Sequence, residues 1–431
     1  MGKIRIAYIC WLSNQKVRSH LKLRDYTLRN IVLRLFHKPE SSYSDYGIWN
    51  SDFVDEFSKM DEYEFHIISP HNGMIKNKIV EFEEDGINYH IYKCDSNLVT
   101  EAFHSYTHYN ERTDYRCLRK KILNIVERIS PQVIIVCGAE QPKFSPVIWD
   151  LHNTPTLVLL ETAVNDPLLM KMMRGAGIYG FVERRSFAEM HYFCTGIKKY
   201  YSIVRQFNKD AECLLFSRFP SHVPPLEKCP VKEFDFLFYA AVISQNKGVE
   251  DVILAFNKVV DSYPTATLNI CGKIDDAYRE HLNSLIDNRA KNNISFTGYF
   301  ETVDEKLSFV QKTKIVVLPS ITSPLNGTVR ESMLMKLPTI VYETTATPKI
   351  NCTRHCLLCA KMQDVGDLSN KMIYAIENPQ EMDIIANNGY MYALENYSNR
   401  SVAKQLINAA IAVLNKEQDG KAIPDEYHYE P

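Results

Sequence analysis

Short apolar runs recur along the first half of the chain at residues 4–10, 63–68, 133–137 and 156–160, separated by helix-length segments with one apolar stripe. Runs this brief and nearly continuous suit strands buried on both faces, and their alternation with helices predicts a parallel sheet covered on both sides. Asp85-Gly86 joins two alternating stretches and predicts a hairpin, because both positions tolerate positive φ. Four prolines, Pro220, Pro224, Pro225 and Pro230, then interrupt the pattern; none can sustain a helix interior or a central strand, so they mark a linker. The pattern restarts with strands at 234–241, 266–271, 294–297, 315–319 and 339–342, alternating with helices to about Asn378.

The fold class implied is α/β, with two Rossmann-like domains at 1–225 and 226–395 and a C-terminal helical segment at 396–431. The helices at 381–395 and 399–416 have no second-domain strand left to cover, and the last is expected to pack back on the first domain. Beyond Glu417 the chain is polar and contains Pro424 and Pro431, which predicts disorder.

Composition narrows the function class. With 24% charged and 45% hydrophobic residues the chain has ordinary globular composition, and its 50 Lys+Arg against 52 Asp+Glu leave no global field for nucleic acid. No apolar run approaches the roughly 20 residues that span a bilayer. The opening MGKIRIAYIC reads as a first strand rather than a signal peptide. Eleven scattered cysteines suit reduced thiols, so a cytoplasmic location is expected. Residues 16–38 carry Lys16, Arg18, Lys22, Arg24, Arg29, Arg34 and Lys38 against the single acid Asp25, interleaved with apolar side chains. That stretch reads either as a basic amphipathic surface for the anionic inner face of a membrane or as a solvated helical face.

In doubly wound sheets ligands bind beyond the carboxyl ends of the strands, which directs attention to the second-domain loops. Lys247-Gly248 opens a helix, where a cation beside free backbone N–H groups would hold a diphosphate; the plainer reading is a solvated lysine in a turn. Gly272 ends the next strand, and Phe296-Thr297-Gly298-Tyr299 ends the one after. The stretch from Leu318 to Val341 is the most informative, with a Ser/Pro/Asn/Gly loop leading into a helix near Thr328. It places the Asn326-Gly327-Thr328 amides at a helix start, with Glu331 a turn in, where a carboxylate can accept from two ribose hydroxyls or simply complement the helix dipole.

Taken in order, "KG" opening a helix, the strands ending at Gly272 and Gly298, and "LPS…ESM…LPTIV" resemble the nucleotide-binding domain of retaining family-four glycosyltransferases over residues 234–400. That resemblance implies the GT-B arrangement of two Rossmann-like domains facing across a cleft, and a nucleoside diphosphate sugar as co-substrate with no other cofactor. It further implies Lys247 on the donor diphosphate, Glu331 on the ribose, and the Asn326–Thr328 loop on sugar and phosphate, with Gly272 and Tyr299 lining the donor site. Val242 stands where the family usually has an arginine and Ser323 where it usually has the first glutamate of a Glu-x7-Glu motif. Arg330 is the candidate replacement cation, the other reading being an exposed helix residue. In the first domain Glu161, and secondarily Glu140, are the candidates to face the donor sugar, with a loop carboxylate as the alternative role for Glu161.

The resemblance implies retention without a protein nucleophile, the leaving phosphate taking the acceptor's proton while electrostatics lower the barrier. No Asp-x-Asp pair lies in a suitable loop, so a metal-independent reaction is expected. Cys352, Cys356 and Cys359 have the spacing of a cluster motif but lack a closed ligand set and read as core cysteines on a short strand. The function implied is sugar transfer to a glycan or lipid-linked acceptor, in a surface-polysaccharide role by resemblance. The alternatives are a non-catalytic GT-B subunit and a nucleotide-sugar epimerase.

Overall fold

The structure, a computed structural model, describes residues 2–25, 43, 45–75, 79–93, 109–172, 176–216, 231–300, 302–321, 325–344 and 346–428. Its contacts divide the chain into two compact units, residues 1–220 with 402–431, and residues 221–401.

The first unit is built on eight strands: β1 (Ile4–Ile9), β2 (Tyr63–His71), β3 (Ile79–Glu84), β4 (Ile87–Lys93), β5 (Val133–Cys137), β6 (Thr156–Leu159), β7 (Tyr192–Thr195) and β8 (Glu212–Leu215). They lie in the order β3-β4-β2-β1-β5-β6-β7-β8, parallel except for the β3–β4 hairpin. At the hairpin turn Asp85 (φ 52°) and Gly86 (φ 75°) take the left-handed conformations that the Asp-Gly pair favours. β5 is buried at every position, which is why its sequence, Val-Ile-Ile-Val-Cys, is apolar without alternation. The helix Arg116–Ile129 covers one face with Ile122, Ile125, Val126 and Ile129, an i, i+3, i+4, i+7 stripe. On the other face lie Val402, Leu406, Ile407, Ala410 and Val413 of the helix Asn399–Asp419, packed with Ile6, Tyr8 and Phe53.

The second unit has six parallel strands: β9 (Phe234–Val242), β10 (Leu268–Lys273), β11 (Ile294–Gly298), β12 (Thr313–Val317), β13 (Thr339–Tyr342) and β14 (Leu358–Ala360), in the order β11-β10-β9-β12-β13-β14. The chain leaves β9 in one direction and returns to its other side at β12, so the topological switch point lies between these two strands. Backbone loops diverge there and open a crevice at the carboxyl ends. In the first unit the corresponding point lies between β1 and β5.

Several expectations need correction. β7 and β8, four residues each, were not anticipated from the pattern. From Gln418 to His428, the described part of the segment after Glu417, the chain is ordered rather than disordered: the helix continues to Asp419, Ile423 is buried, and His428 bridges to Leu214. Ile423 and Tyr427 pack on the first-unit core, and with one backbone pairing they hold the short polar stretch to the edge strand. The basic stretch 16–38 is described only to Asp25; there the helix Gln15–Ser19 ends early, with Lys16 paired to Asp85 and Arg18 to Asp45. The rest of that stretch, most of the proline linker and Ser323 lie outside the described residues. Among the described residues no helix is long and apolar enough to cross a membrane.

Candidate functional site

In the second unit the two loops at the switch point are tied together. After β9 a short 3-10 turn, Gln245–Lys247, ends at Gly248, whose φ of 79° lets the chain turn into the helix Val249–Ser262. A Cβ on Gly248 would lie 2.0 Å from the Pro319 carbonyl oxygen, so only glycine permits this approach of the β9 and β12 loops. The Ile321 amide donates to the Asn246 carbonyl at 3.1 Å and closes the same contact. Half-buried Lys247 is thereby held at the mouth of the crevice.

Across it, Asn326 is the N-cap of the helix Gly327–Leu334 and makes no side-chain cap bond. The first N–H groups of a helix have no intrahelical partner and favour an anion. Arg330 is 9% exposed, which overturns its reading as an exposed helix residue. Its guanidinium folds back under the helix start, one terminal nitrogen 3.7 Å from where a Gly327 Cβ would be. Val242, at the position where a cation was sought, is 57% exposed and supplies no charge.

Glu331 faces a partner that sequence reasoning missed. Lys306 Nζ lies 3.1 Å from Glu331 Oε2, the two side chains being 25% and 16% exposed. Lys306 is carried by the helix Val303–Val310, whose start is fixed by a reciprocal capping box between Thr302 and Glu305. It lines, with Tyr239, Gly272, Tyr299 and Phe300, a cavity of ≈ 170 Å³. Gly272 has φ 151° and an added Cβ would meet the Ala240 carbonyl oxygen at 2.0 Å. The Tyr239 hydroxyl donates to the Thr328 carbonyl at 2.7 Å and lies 3.0 Å from Ser332 Oγ. Burial first, and the Glu331 charge second, push the Tyr239 phenol well above its ordinary range, so it remains a neutral donor.

In the first unit Glu161 follows β6 and its Oε1 accepts from Trp49 Nε1 at 2.9 Å and from Cys137 Sγ at 2.9 Å. Burial raises its pKa, and these two hydrogen bonds oppose the rise. Glu140, just after β5, is only 3% exposed. Burial, helped by the Glu161 charge, pushes its carboxyl up to about 8, so it is largely protonated at neutral pH. Glu140 Oε2, Gln141 Oε1 and Trp11 Nε1 are buried without a hydrogen-bond partner among the described residues. The loop from Ala163 to Asp166 is set by buried Glu183, which accepts from the Val164 and Asn165 amides, each at 2.7 Å. The structure thus brings Glu140 and Glu161 together at neighbouring strand ends, and sets Lys247, Gly272, Tyr299 and Asn326 in loops after the strands of the second unit, with Glu331 one turn into the helix Gly327–Leu334.

The three cysteines of the 352–359 stretch do not form one cluster: Cys352 is exposed, Cys356 buried and Cys359 half-buried on β14. Among the described residues no group of three His, Cys, Asp or Glu side chains is placed to hold a metal ion.

Residues 228–392 match the family model described as glycosyl transferases group 1. The match falls within the second unit. The Lys247, Asn326–Thr328 and Glu331 positions all lie within the matched residues. Both units together have the GT-B fold of two Rossmann-like domains. A glycosyltransferase from Rickettsia africae ESF-5 superposes with a TM-score of 0.60 at 12% identity, covering 96% of this chain and 99% of that one. HepE of Anabaena, in complex with UDP, gives 0.57 at 12% identity over 94% and 98%. Sucrose-phosphate synthase from Thermosynechococcus elongatus gives 0.55 at 11% identity over 94% and 97%. Comparison with the curated proteins finds no match.

Proposed function

We propose that the protein is a retaining glycosyltransferase that moves a sugar from a nucleoside diphosphate sugar to a glycan or lipid-linked acceptor, in the assembly of a surface polysaccharide. The observation that carries the reading is the arrangement at the switch point of the glycosyl transferase domain, where Lys247, an open helix start and a carboxylate lie on adjoining strand ends. Lys247 and Arg330 supply cations for the diphosphate, the Asn326–Thr328 amides hold phosphate and sugar, and Glu331 accepts from the ribose. Gly272 and Tyr299 form walls of the slot for the base. HepE, of like fold, holds UDP, which supports a nucleoside diphosphate leaving group.

Glu161 and Glu140 are assigned to the donor-sugar side of the reaction. No protein nucleophile is required: the leaving phosphate oxygen takes the acceptor hydroxyl's proton, and fixed donors stabilise the charge that develops on it. Glu140, largely protonated at neutral pH, presents a hydroxyl donor; Glu161 places a second carboxyl on the donor-sugar side. The reaction is assigned no metal and should proceed in a chelator.

Thermal melting against a panel of sugar nucleotides tests the donor class. A donor present at 100 times its Kd stabilises the fold by roughly 2.7 kcal/mol, a shift of a few degrees. No shift with any uridine, guanosine or adenosine diphosphate sugar would remove the assignment. The membrane-peripheral placement rests on the basic stretch 16–38. Sedimentation with anionic vesicles at low ionic strength, lost at high salt, is the result this placement requires; the Lys22→Glu, Arg29→Glu, Arg34→Glu triple variant should stay in the supernatant. Val242, in place of a second diphosphate cation, and Ser323, in place of the first glutamate, favour a non-catalytic subunit, which would bind donor without turning it over.

A further inference from the structure

Glu331 is held from two directions. Lys306 reaches it from the helix Val303–Val310, 25 positions earlier in the chain, at 3.1 Å. Tyr239, on β9, lies against it from the sheet and is itself anchored to the Thr328 carbonyl. A free glutamate has three side-chain torsions and would sample many positions at a crevice mouth; one charge-assisted hydrogen bond from a capped helix removes most of that freedom. The pair is largely withdrawn from water, so its geometry is better defined than that of a fully solvated surface pair.

The lone pairs decide what remains. Lys306 occupies one site on Oε2, leaving Oε1 and the second site on Oε2 able to accept from two neighbouring O–H donors. Lys306 itself lines the ≈ 170 Å³ cavity together with Gly272 and Tyr299, so the fixed carboxylate adjoins the space assigned to the nucleoside.

We infer that Lys306 is a positioning residue that fixes the Glu331 carboxylate as an acceptor for a vicinal diol, and so makes the site select ribonucleotides over deoxyribonucleotides. The inference rests on the reading of this unit as the nucleotide-binding one. It goes beyond that reading by assigning the sugar selectivity of the nucleotide to a residue outside the resemblance.

Calorimetry on the full chain tests it with UDP, GDP and ADP, then with the 2′,3′-dideoxy form of whichever binds best. The variants are Lys306→Met, Lys306→Arg, Glu331→Gln and the Lys306→Met/Glu331→Gln double variant, each checked by its melting curve. Lys306→Met should weaken the ribonucleotide about tenfold or more, the cost of setting one hydrogen-bonding carboxylate loose, and leave the dideoxy form within about twofold. Lys306→Arg should restore most of the loss, and the double variant should bind no worse than Glu331→Gln alone. Equal weakening of ribo and dideoxy forms would overturn the inference by showing that Lys306 touches base or phosphate directly. Unchanged affinity for both would overturn it by showing an idle ion pair. Failure of the wild-type chain to bind any of the three diphosphates would instead sink the nucleotide-site reading, and this inference with it.

Discussion

Gly248→Ala should cost the protein about 2–5 kcal/mol of stability and most of its affinity for a nucleoside diphosphate, because strain and collision act at the same atom. The φ of 79° is unfavourable for any residue with a Cβ, and that Cβ would lie 2.0 Å from the Pro319 carbonyl oxygen. The backbone of one loop must move, and either movement displaces Lys247 from the helix Gly327–Leu334. Gly298 provides the control. Its φ is 85° but an added Cβ meets nothing within 4 Å, so Gly298→Ala should cost only the strain, about 1 kcal/mol. Chemical denaturation and diphosphate calorimetry on the two variants check this. Equal small losses for both would mean that the loops can separate without consequence.

Glu140→Gln should remove a pH dependence of stability. The Glu140 carboxyl titrates at about 8 in the folded chain against 4.5 in its ordinary state. Between those values the folded protein holds a proton that the unfolded chain has lost, so folding is progressively disfavoured as pH rises through this window and is constant outside it. The slope is about 1.4 kcal/mol per pH unit. The stability difference, variant minus wild type, should therefore climb by roughly 3 kcal/mol between pH 5 and pH 8 in urea unfolding. Parallel stability curves for the two proteins would show that Glu140 is already ionised or reached by solvent.

What the sequence made legible follows from length and punctuation. The short, nearly continuous apolar runs, the Asp85-Gly86 turn and the alternation in the second half led directly to two α/β sheets. β7 and β8 escaped because Tyr-Phe-Cys-Thr and Glu-Cys-Leu-Leu are too short to show a period and adjoin helices of similar composition. The ordered stretch to His428 escaped for another reason: Ile423 and Tyr427 are isolated apolar residues in a polar stretch, and what holds them is tertiary contact. At the site, loop residues such as Gly248 and Asn326 were visible as breaks in the pattern. Lys306 was not, because its meaning depends on pairing with Glu331 across an intervening strand and loop. The signal that could have found it is the Thr302-x-x-Glu305 capping box, which fixes where the helix starts and thus which way Lys306 points. Arg330 was visible but misjudged in one of its readings, since helical position alone does not say that its guanidinium turns back beneath Gly327.

The central claim is that the chain transfers sugar from a nucleoside diphosphate donor held by its second unit. Its most direct test is release of nucleoside diphosphate from a panel of sugar nucleotides in EDTA, with wild type and Lys247→Ala compared under one set of conditions. One donor should be turned over by the wild-type protein and at least tenfold less efficiently by Lys247→Ala, the loss of a charge-assisted contact of about 1.5–3 kcal/mol. Binding of a donor with no release, in the presence of glycan and lipid-linked acceptors, would contradict catalysis and leave a non-catalytic GT-B subunit.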